Sequence, residues 1–481
     1  MDYLKIVTIL WLSILTTSSF AISKPTTVNY HRPNNFLTSI SNILDTSAGD
    51  TNVGIIIKSL DSGAVLYERN AKHFFMPASI LKIVTAITAL DYLGSDYKFV
   101  TKIITNSQEI KNGTLNGDIY LHFDGDPTLT KNDLEQLISQ LSTLGIKTIR
   151  GNIYIDDYIY DQKKYAKGWM WDELNLCYAA PIAGIIINKN CFSLELNSTT
   201  DGKIAKITEK DTQPLSSIYS NVITKSKASD CQLNINATEN NEYYLNGCIF
   251  PKKQPITIQV PIKNLRLYSQ RLLVSLLQKY SIDITGKIGT APMIQNGYIL
   301  ASHSSEPLNQ LVAKMMKHSD NLIANSLYKK ISSYYFNSEG TWLNGGKAAK
   351  QILIQNARIN LEKAKIFDGS GLSRYNLITP EQMMQLLVFA YNDSDINQDF
   401  IKSLPIGGID GSLHWRLGKK DIINKIIAKT GTMTGISSLA GYIETVSHKK
   451  LAFVIMFNSF SDSPRKYEQI EDRICEILVR L

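Results

Sequence analysis

The chain has 481 residues, of which 44% are hydrophobic and 20% are charged, and its formal net charge is +8 at pH 7. Such a composition excludes a disordered chain, and the length predicts two or three folded domains. The moderate positive charge favours acidic polymers or peripheral association with anionic membrane surfaces, although a lysine-rich surface without a partner explains it equally well. The sequence contains no pattern typical of a nucleic-acid-binding module.

The first 21 residues have the pattern of a secretory signal peptide. Lys5 precedes an apolar run from Ile6 to Leu15, and small polar residues lead to a predicted cleavage site after Ala21. Asp2 weakens the basic start, so an uncleaved anchor is the alternative, although the apolar run is short for a membrane span. We therefore expect an exported protein that resides in the periplasm or elsewhere in the cell envelope.

The next elements in the chain are a hairpin and a helix. Residues 52–60 and 64–70 are rich in β-forming residues and flank an Asp-Ser-Gly turn, which predicts two antiparallel strands. The stretch "MPASILKIVTAITAL" then begins an apolar run. It predicts a helix that starts near Ser79 and ends before Gly94.

Residues 99–264 differ from the rest of the chain. Short β-like runs alternate there with Gly, Asn and Asp, which predicts a β-rich insertion that forms one or two small domains. Helical periodicity returns only from about Asn264. We therefore expect residues 22–98 and 265–481 to form the main domain.

The C-terminal part of the chain contains three predicted strands and a helix. The strands lie within residues 425–458, and residues 463–481 predict an amphipathic helix. Its apolar face consists of Ile470, Ile474, Ile477 and Leu478. Strands at both ends of the chain with helices between them predict an α+β fold, an antiparallel sheet covered by helices.

Five cysteines are present, and they are Cys177, Cys191, Cys231, Cys248 and Cys475. Export permits disulfides, and Cys231 and Cys248 are a candidate pair because they flank a plausible hairpin. The odd count leaves at least one thiol free unless a partner chain is covalently joined. No cysteine spacing matches a zinc site and the seven histidines do not cluster, so we expect neither a metal nor another cofactor.

The predicted helix near Ser79 carries an unusual charge, Lys82, at the start of an apolar run. A serine hydroxyl needs a base to become a nucleophile, and residues at positions i and i+3 of a helix share one face. Unsatisfied N–H groups at the helix start also suit an oxyanion. The alternative is that Lys82 extends to water, and the same Ser-x-x-Lys spacing recurs twice in polar segments near the C-terminus.

Two further stretches support a catalytic interpretation of Ser79 and Lys82 when they are considered with that motif. "KHSDNLIANSL" places Ser319 and Asn321 at the predicted start of a helix, where both residue types are ordinary caps. "IIAKTGTMTG" ends a β-like run in Lys429, Thr430 and Gly431, which is also compatible with a strand that enters a polar turn. Each stretch has an ordinary structural interpretation when it is considered alone.

In this order, the S-x-x-K, S-D-N and K-T-G stretches resemble the motif set of the serine penicillin-recognising enzymes. The long gap between Ser79 and Ser319 resembles the low-molecular-mass class C penicillin-binding proteins, which carry an inserted domain there, and not the β-lactamases. "GDPTLT", "GWMWDELNLCYAAPIAGIIINKN" and "DGSGLSRYNLIT" also resemble the D-alanyl-D-alanine carboxypeptidases and endopeptidases of the penicillin-binding-protein-4 type, peptidase family S13. The resemblance spans nearly the whole mature chain and implies a β-lactamase-like transpeptidase domain.

The resemblance implies catalytic roles for five residues. Ser79 attacks the bond between two D-alanines, and Lys82 accepts its proton. Ser319 relays a proton to the leaving amine while Lys429 tunes the electrostatics. Asn321 holds the peptide backbone of the substrate. Peptidoglycan stem peptides are then the substrates, and β-lactam antibiotics are covalent inhibitors.

The resemblance also implies binding roles. Lys429 and the hydroxyls of Thr430 and Thr432 suit the terminal carboxylate, and the N–H groups of Ser79 and Thr432 suit the oxyanion. Gly431 is expected where an extended peptide lies close to the strand.

Two assignments are less specific. Asp172 is expected to contact the amino end of the dibasic stem residue, and the alternative is an exposed loop acid. Arg374 is expected to bind a carboxylate, or else to form a structural salt bridge. The alternative functions are a β-lactamase or esterase on the same fold, or an inactive scaffold that binds peptidoglycan.

Overall fold

A computed structural model describes residues 35–209, 217–227 and 231–481. The predicted signal peptide, residues 1–21, lies outside the described residues. Within the described ranges, no helix combines the length and the hydropathy needed to cross a membrane.

The described helices are α1 (Asn35–Ser47), α2 (Lys82–Leu93), α3 (Lys131–Thr143), α4 (Leu265–Lys279), α5 (Leu308–His318), α6 (Asn321–Phe336), α7 (Trp342–Ala357), α8 (Pro380–Asn392), α9 (Asn397–Ser403) and α10 (Pro464–Val479). The described strands are β1 (Asn52–Ser59), β2 (Val65–Arg69), β3 (Val100–Thr105), β4 (Ile110–Lys111), β5 (Thr114–Leu115), β6 (Ile119–His122), β7 (Thr148–Ile149), β8 (Ile153–Asp156), β9 (Cys191–Asn197), β10 (Lys206–Glu209), β11 (Ser217–Ser220), β12 (Ile223–Thr224), β13 (Leu233–Ala237), β14 (Glu242–Ile249), β15 (Ile256–Pro261), β16 (Asp283–Ile284), β17 (Ile288–Thr290), β18 (Tyr298–Ser304), β19 (Ile426–Met433), β20 (Ile436–Glu444) and β21 (Lys450–Asn458).

The main sheet combines strands from the N-terminal part of the chain with strands from its C-terminal part. Its order is β19-β20-β21-β1-β2, and every neighbouring pair is antiparallel. Helices α1 and α10 pack on one face, while α2 and α5 to α8 pack on the other around a second core. The predicted antiparallel sheet covered by helices is confirmed, as is the hairpin at its start.

Helix α2 lies in the centre of the helical layer, which explains its apolar sequence. Every residue from Lys82 to Leu90 is buried, so the helix has no solvent-facing side. A short 3-10 turn, Ala78–Leu81, leads into it, and the helix ends before Gly94, as predicted. At the C-terminus, α10 buries Ile470, Ile474 and Leu478, and Ile477 is half-buried.

The chain between β2 and α5 contains the β-rich unit. Its largest sheet has the order β17-β8-β6-β3-β18, and three smaller sheets surround a shared core with α3 and α4. Because β18 pairs with β3 and α4 packs into this core, a boundary at residue 264 would separate α4 from its packing partners. We propose that the inserted unit runs from Val100 to Ser304, in place of the predicted residues 99–264.

Two disulfides stabilise the insertion, Cys177–Cys191 and Cys231–Cys248. The second joins the ends of the β13–β14 hairpin, as the sequence predicts. Cys475 is a buried free thiol on α10.

Candidate active site

The 3-10 turn Ala78–Leu81 fixes the position of Ser79. Ala78 is buried and has a positive φ of 48°, an unusual conformation for a residue with a side chain. A residue of the sheet holds this turn in place, because Ser438 Oγ donates a hydrogen bond of 2.8 Å to the Pro77 carbonyl. Ser79 is half-exposed while its neighbours are buried, so its hydroxyl lies at the surface of a rigid turn.

Lys82 is fully buried, and its ammonium nitrogen contacts three oxygens. The Nζ atom lies 2.7 Å from Asn321 Oδ1, 2.8 Å from the Ser370 carbonyl oxygen and 3.0 Å from Ser79 Oγ. Two of these are amide oxygens that only accept hydrogen bonds, so they take both hydrogens of a neutral amine. The remaining lone pair is then directed at the Ser79 hydroxyl.

Burial also sets the protonation of Lys82. Desolvation lowers the pKa of Lys82 to about 7, and the carboxylates of Asp368 and Asp320 oppose part of this shift. A lysine with this pKa is partly neutral near pH 7. The predicted base is therefore compatible with proton acceptance near physiological pH.

Asn321 is held in one orientation by the insertion. Its Nδ2 atom donates to the Tyr178 carbonyl at 2.9 Å, which directs its Oδ1 atom toward Lys82. Tyr178 directly follows Cys177, whose disulfide ties this segment to β9. Lys189 of the insertion pairs with Asp320, the cap of α6, at 2.7 Å. The insertion thus contributes directly to the geometry of the site.

Ser319 and Lys429 form the second pair of the site. Ser319 ends α5 in the left-handed region, with φ of 56°, and Lys429 Nζ donates to its Oγ at 2.9 Å. Lys429 also donates to the Thr430 carbonyl at 2.8 Å and is fully buried. Burial first, and then the charge of Lys82, lower the pKa of Lys429 well below its usual range.

Strand β19 lies along the turn that bears Ser79. A Cβ atom at Gly431 would lie 2.8 Å from the Pro77 carbonyl oxygen and 3.0 Å from the Ser79 nitrogen. Only glycine permits this approach, so the Ser79 turn is itself a close neighbour that requires glycine here, besides the expected substrate peptide. Thr430 and Thr432 project to the other side, where their hydroxyls donate to Ser412 at 2.7 Å and Glu468 at 3.1 Å.

The loop after residue 367 forms another wall of the site. Asp368 is buried and accepts hydrogen bonds from Trp169, Gly371, Ser373 and Asn376. This network presents the Ser370 carbonyl to Lys82. Asp368 therefore shapes the loop that borders the site.

Asp172 and Arg374 occupy different environments. Asp172 is exposed, whereas its neighbour Glu173 is half-buried and its Oε2 atom has no hydrogen-bond partner among the described residues. Arg374 Nη1 donates to the Thr434 carbonyl at 3.1 Å, and its buried Nε atom is likewise without a partner in the described part of the chain. Burial, followed by the charge of Glu173, raises the pKa of Tyr178 to about 12.

Comparison with known proteins decides the family. The model of the D-Ala-D-Ala carboxypeptidase 3 (S13) family matches residues 37–481. The chain belongs to this family. The resemblance predicted from the motifs is thereby confirmed.

Matches from Haemophilus influenzae agree with this family. The chain is 32% identical to D-alanyl-D-alanine carboxypeptidase DacB over 458 residues, which cover 94% of each protein. The crystal structure of penicillin-binding protein 4 (dacB) matches with a TM-score of 0.86 and 31% identity over 92% of this chain and 99% of that one. A complex of that protein with a β-lactam matches with a TM-score of 0.81, 30% identity and coverage of 92% and 100%. The predicted transpeptidase-like fold with an insertion is confirmed.

The sequence interpretation missed several residues in this S13 site. Tyr178 and Ser370 act through backbone carbonyls, which no residue type reveals. Ser412 and Glu468 lie far from the motifs and meet β19 only in the folded chain.

Proposed function

We propose that the protein is a serine-type D-alanyl-D-alanine carboxypeptidase that also cleaves crosslinks as an endopeptidase, with peptidoglycan stem peptides as substrates. The observation that carries this proposal is the contact between Ser79 and a buried Lys82 whose hydrogens are taken by two amide oxygens. The Haemophilus influenzae relative supports it, because it is named D-alanyl-D-alanine carboxypeptidase and aligns over nearly its whole length. The β-lactam complex supports β-lactams as covalent inhibitors.

Acylation begins with proton transfer from Ser79 to Lys82. As the proton moves to Nζ, Ser79 Oγ bonds to the carbonyl carbon of the penultimate D-alanine. The oxyanion that forms lies between the N–H groups of Ser79 and Thr432, and each such donor contributes about 3–4 kcal/mol. The Ala428 N–H donates to the Pro405 carbonyl and therefore points away from β20. The N–H groups of alternate residues in a strand point to the same side, so the Thr432 N–H also points away from β20.

The carbon–nitrogen bond then breaks, and the leaving amine needs a proton. The proton held by Lys82 returns through the Ser319 hydroxyl, which lies 2.9 Å from Lys429 Nζ. Water next attacks the acyl-enzyme ester with Lys82 as base, which releases the peptide and restores the Ser79 hydroxyl.

The remaining residues bind the substrate. Lys429, Thr430 and Thr432 face the terminal carboxylate, and Asn321 contacts the peptide backbone. We assign the contact with the amino end of the dibasic residue to Asp172, whose side chain is exposed. Arg374 supplies a cation near Tyr178 that suits a carboxylate of the substrate. We further propose that the protein is exported, with cleavage after Ala21, and resides in the periplasm or elsewhere in the envelope.

Labelling with fluorescent penicillin tests the proposal. The parent protein is expected to form a covalent adduct that survives denaturation, and the Ser79→Ala variant is expected to form none. Ser463→Ala is the matched control, because Ser463 also precedes a lysine by three residues but lies at the start of α10. Equal labelling of parent and Ser79→Ala would overturn the assignment of the nucleophile.

Turnover separates the proposed activity from its alternatives. Release of D-alanine from a pentapeptide supports carboxypeptidase action, and cleavage of a crosslinked muropeptide dimer supports endopeptidase action. Rapid loss of the penicillin label with hydrolysis of the drug would instead favour a β-lactamase. A parent protein that binds peptidoglycan but never takes the label would favour a scaffold.

A further inference from the structure

A short turn beside Thr430 carries an exposed tryptophan. The Thr430 hydroxyl donates to Ser412 Oγ at 2.7 Å, and Ser412 lies in the 3-10 turn Gly411–Leu413. Backbone hydrogen bonds between residues three apart continue through this segment to Arg416. Side chains three residues apart lie on the same side of such a turn. Trp415 therefore lies on the same side as Ser412, which is the side that faces Thr430.

Ion pairs anchor this segment on both sides of Trp415. Asp410 pairs with Lys317 of α5 at 2.5 Å, and Arg416 pairs with Glu471 of α10 at 2.8 Å. The Trp415 side chain between these anchors is nevertheless 92% exposed. A single exposed apolar side chain is common on protein surfaces. This one is held on a fixed segment beside the cleft, so a ligand that covers it needs to order little of the chain.

Two neighbours enlarge the exposed surface of Trp415. The His414 ring lies edge-on to the indole with the ring centroids 4.2 Å apart, and its Nδ1 atom lies 2.7 Å from the Ile409 carbonyl oxygen. His414 is exposed, and the Ile409 side chain is 47% exposed. Ile409, His414 and Trp415 thus form a small, largely apolar platform, which we call the Trp415 platform.

The Trp415 platform lies on the leaving-group side of the proposed reaction. Ser319, which returns the proton to the leaving amine, ends the same helix whose Lys317 pairs with Asp410. When D-alanine is released, the leaving group is one amino acid whose carboxylate faces Lys429 and Thr430. When a crosslink is cleaved, the leaving amine belongs to the dibasic residue of a second stem. The leaving group then continues from this position as a methylene chain and a second peptide.

We infer that Trp415 is a specificity-determining residue that binds the methylene chain of the second stem and thereby favours crosslinked substrates over pentapeptides. The inference rests on the proposed function, because it assumes that Ser319 and Thr430 face the leaving group. The indole removes apolar surface of that chain from water, which stabilises the bound crosslink. D-alanine has no such chain, so its release does not depend on Trp415.

The test compares cleavage of a crosslinked muropeptide dimer with D-alanine release from a pentapeptide. In Trp415→Ala, kcat/KM for the dimer is expected to fall about tenfold, mostly through KM, because about two methylene groups then stay in water. For the pentapeptide, kcat/KM is expected to stay within about twofold. Trp415→Phe keeps an aromatic surface and should retain most of the dimer activity. Leu343→Ala is the matched control, because Leu343 is 69% exposed but lies on α7.

Penicillin labelling of Trp415→Ala at the parental rate would show that its fold and Ser79 are intact. Equal changes for dimer and pentapeptide, or no change for either, would overturn the inference. So would a loss for the muropeptide dimer that a sugar-free peptide dimer does not show, because the glycan would then be the occupant. A parent protein that releases D-alanine but never cleaves the dimer would overturn the endopeptidase assignment and this inference together. One that cleaves neither substrate and takes no label would overturn the proposed function as a whole.

Discussion

Two regions of this protein bury lysine side chains completely, and they stabilise them differently. On α6, Lys329 pairs with Asp161 at 2.7 Å and Lys330 pairs with Asp124, and both aspartates belong to the insertion. In the cleft, Lys82 and Lys429 are equally buried, but their nitrogen atoms contact only uncharged oxygens. The first pair fastens the insertion to the main domain, whereas the second pair is left without a carboxylate in contact.

The difference shows how the same residue type serves structure and chemistry. Burial lowers the pKa of every one of these lysines, and the aspartates raise those of Lys329 and Lys330 again. A paired ammonium stays charged, and loss of its partner is strongly destabilising. A buried amine without such a partner gives up its proton readily, which is what a base beside Ser79 requires.

The largest expected effect is that of Lys82→Met on acylation. Removal of a general base lowers the rate of penicillin acylation by about 10²–10⁴-fold, because no other group accepts the Ser79 proton. Stopped-flow measurement with a fluorescent penicillin reports this rate. The free energy of unfolding is expected to stay within about 1 kcal/mol of the parent or to rise, since Met fills the site without burying an amine. Acylation at the parental rate would remove Lys82 from the mechanism.

Lys330→Met is expected to lower the stability of the fold and to leave the acylation rate nearly unchanged. It leaves Asp124 buried without its cation, so the free energy of unfolding falls by about 3–5 kcal/mol. Urea unfolding measures this loss, and the double variant Lys330→Met with Asp124→Asn is expected to recover part of it. The folded variant should still acylate at nearly the parental rate. A stable Lys330→Met protein would mean that the ion pair does not fasten the insertion.

The pH dependence follows from the pKa of Lys82, which is about 7. The acylation rate is expected to rise about tenfold per pH unit below pH 7 and to level off above it, as the amine loses its proton. The unfolded chain keeps the proton on Lys82 up to a pKa of about 10.4, so it binds more protons than the folded chain between these values. Stability linked to Lys82 is therefore expected to increase with pH across that window.

Lys82→Met tests this linkage, because it should flatten the dependence of stability on pH between 7 and 10. Lys330→Met should leave the midpoint of the acylation profile unchanged. A rate that does not vary between pH 5.5 and 8 would show that Lys82 is neutral throughout or is not the base.

The sequence predicted those parts of the molecule that depend on side-chain type and local periodicity. The β1–β2 hairpin, α2, the three C-terminal strands and α10 follow from apolar patterns, and the motifs identified the family. The sequence alone could not place the end of the insertion, because α4 is amphipathic and looks the same in either domain. Its packing against the insertion depends on contacts with residues distant in the sequence.

The site was predictable in its side chains but not in its backbone. Lys82 contacts Ser79, as the motif spacing led us to expect, and it also contacts Asn321, while Lys429 contacts Ser319. The carbonyl oxygens of Tyr178 and Ser370 could not be identified, because every residue has one. The Cys177–Cys191 disulfide was not predicted for a related reason. A 3-10 turn and an irregular segment separate the two cysteines, so no local pattern indicates that they meet.

The smallest expected effect is that of removing this disulfide. It holds the segment of the insertion that helps to position the uncharged oxygen atoms in contact with Lys82. Cys177→Ser with Cys191→Ser frees the segment that presents the Tyr178 carbonyl, so Asn321 loses a partner that fixes its amide. Acylation is expected to slow by about tenfold, since a misplaced group weakens the alignment of base and nucleophile. Cys231→Ser with Cys248→Ser is the matched control, because that disulfide closes a hairpin of the insertion. If both double variants slow acylation equally, the effect reflects the stability of the insertion, and Tyr178 has no special part in positioning Asn321.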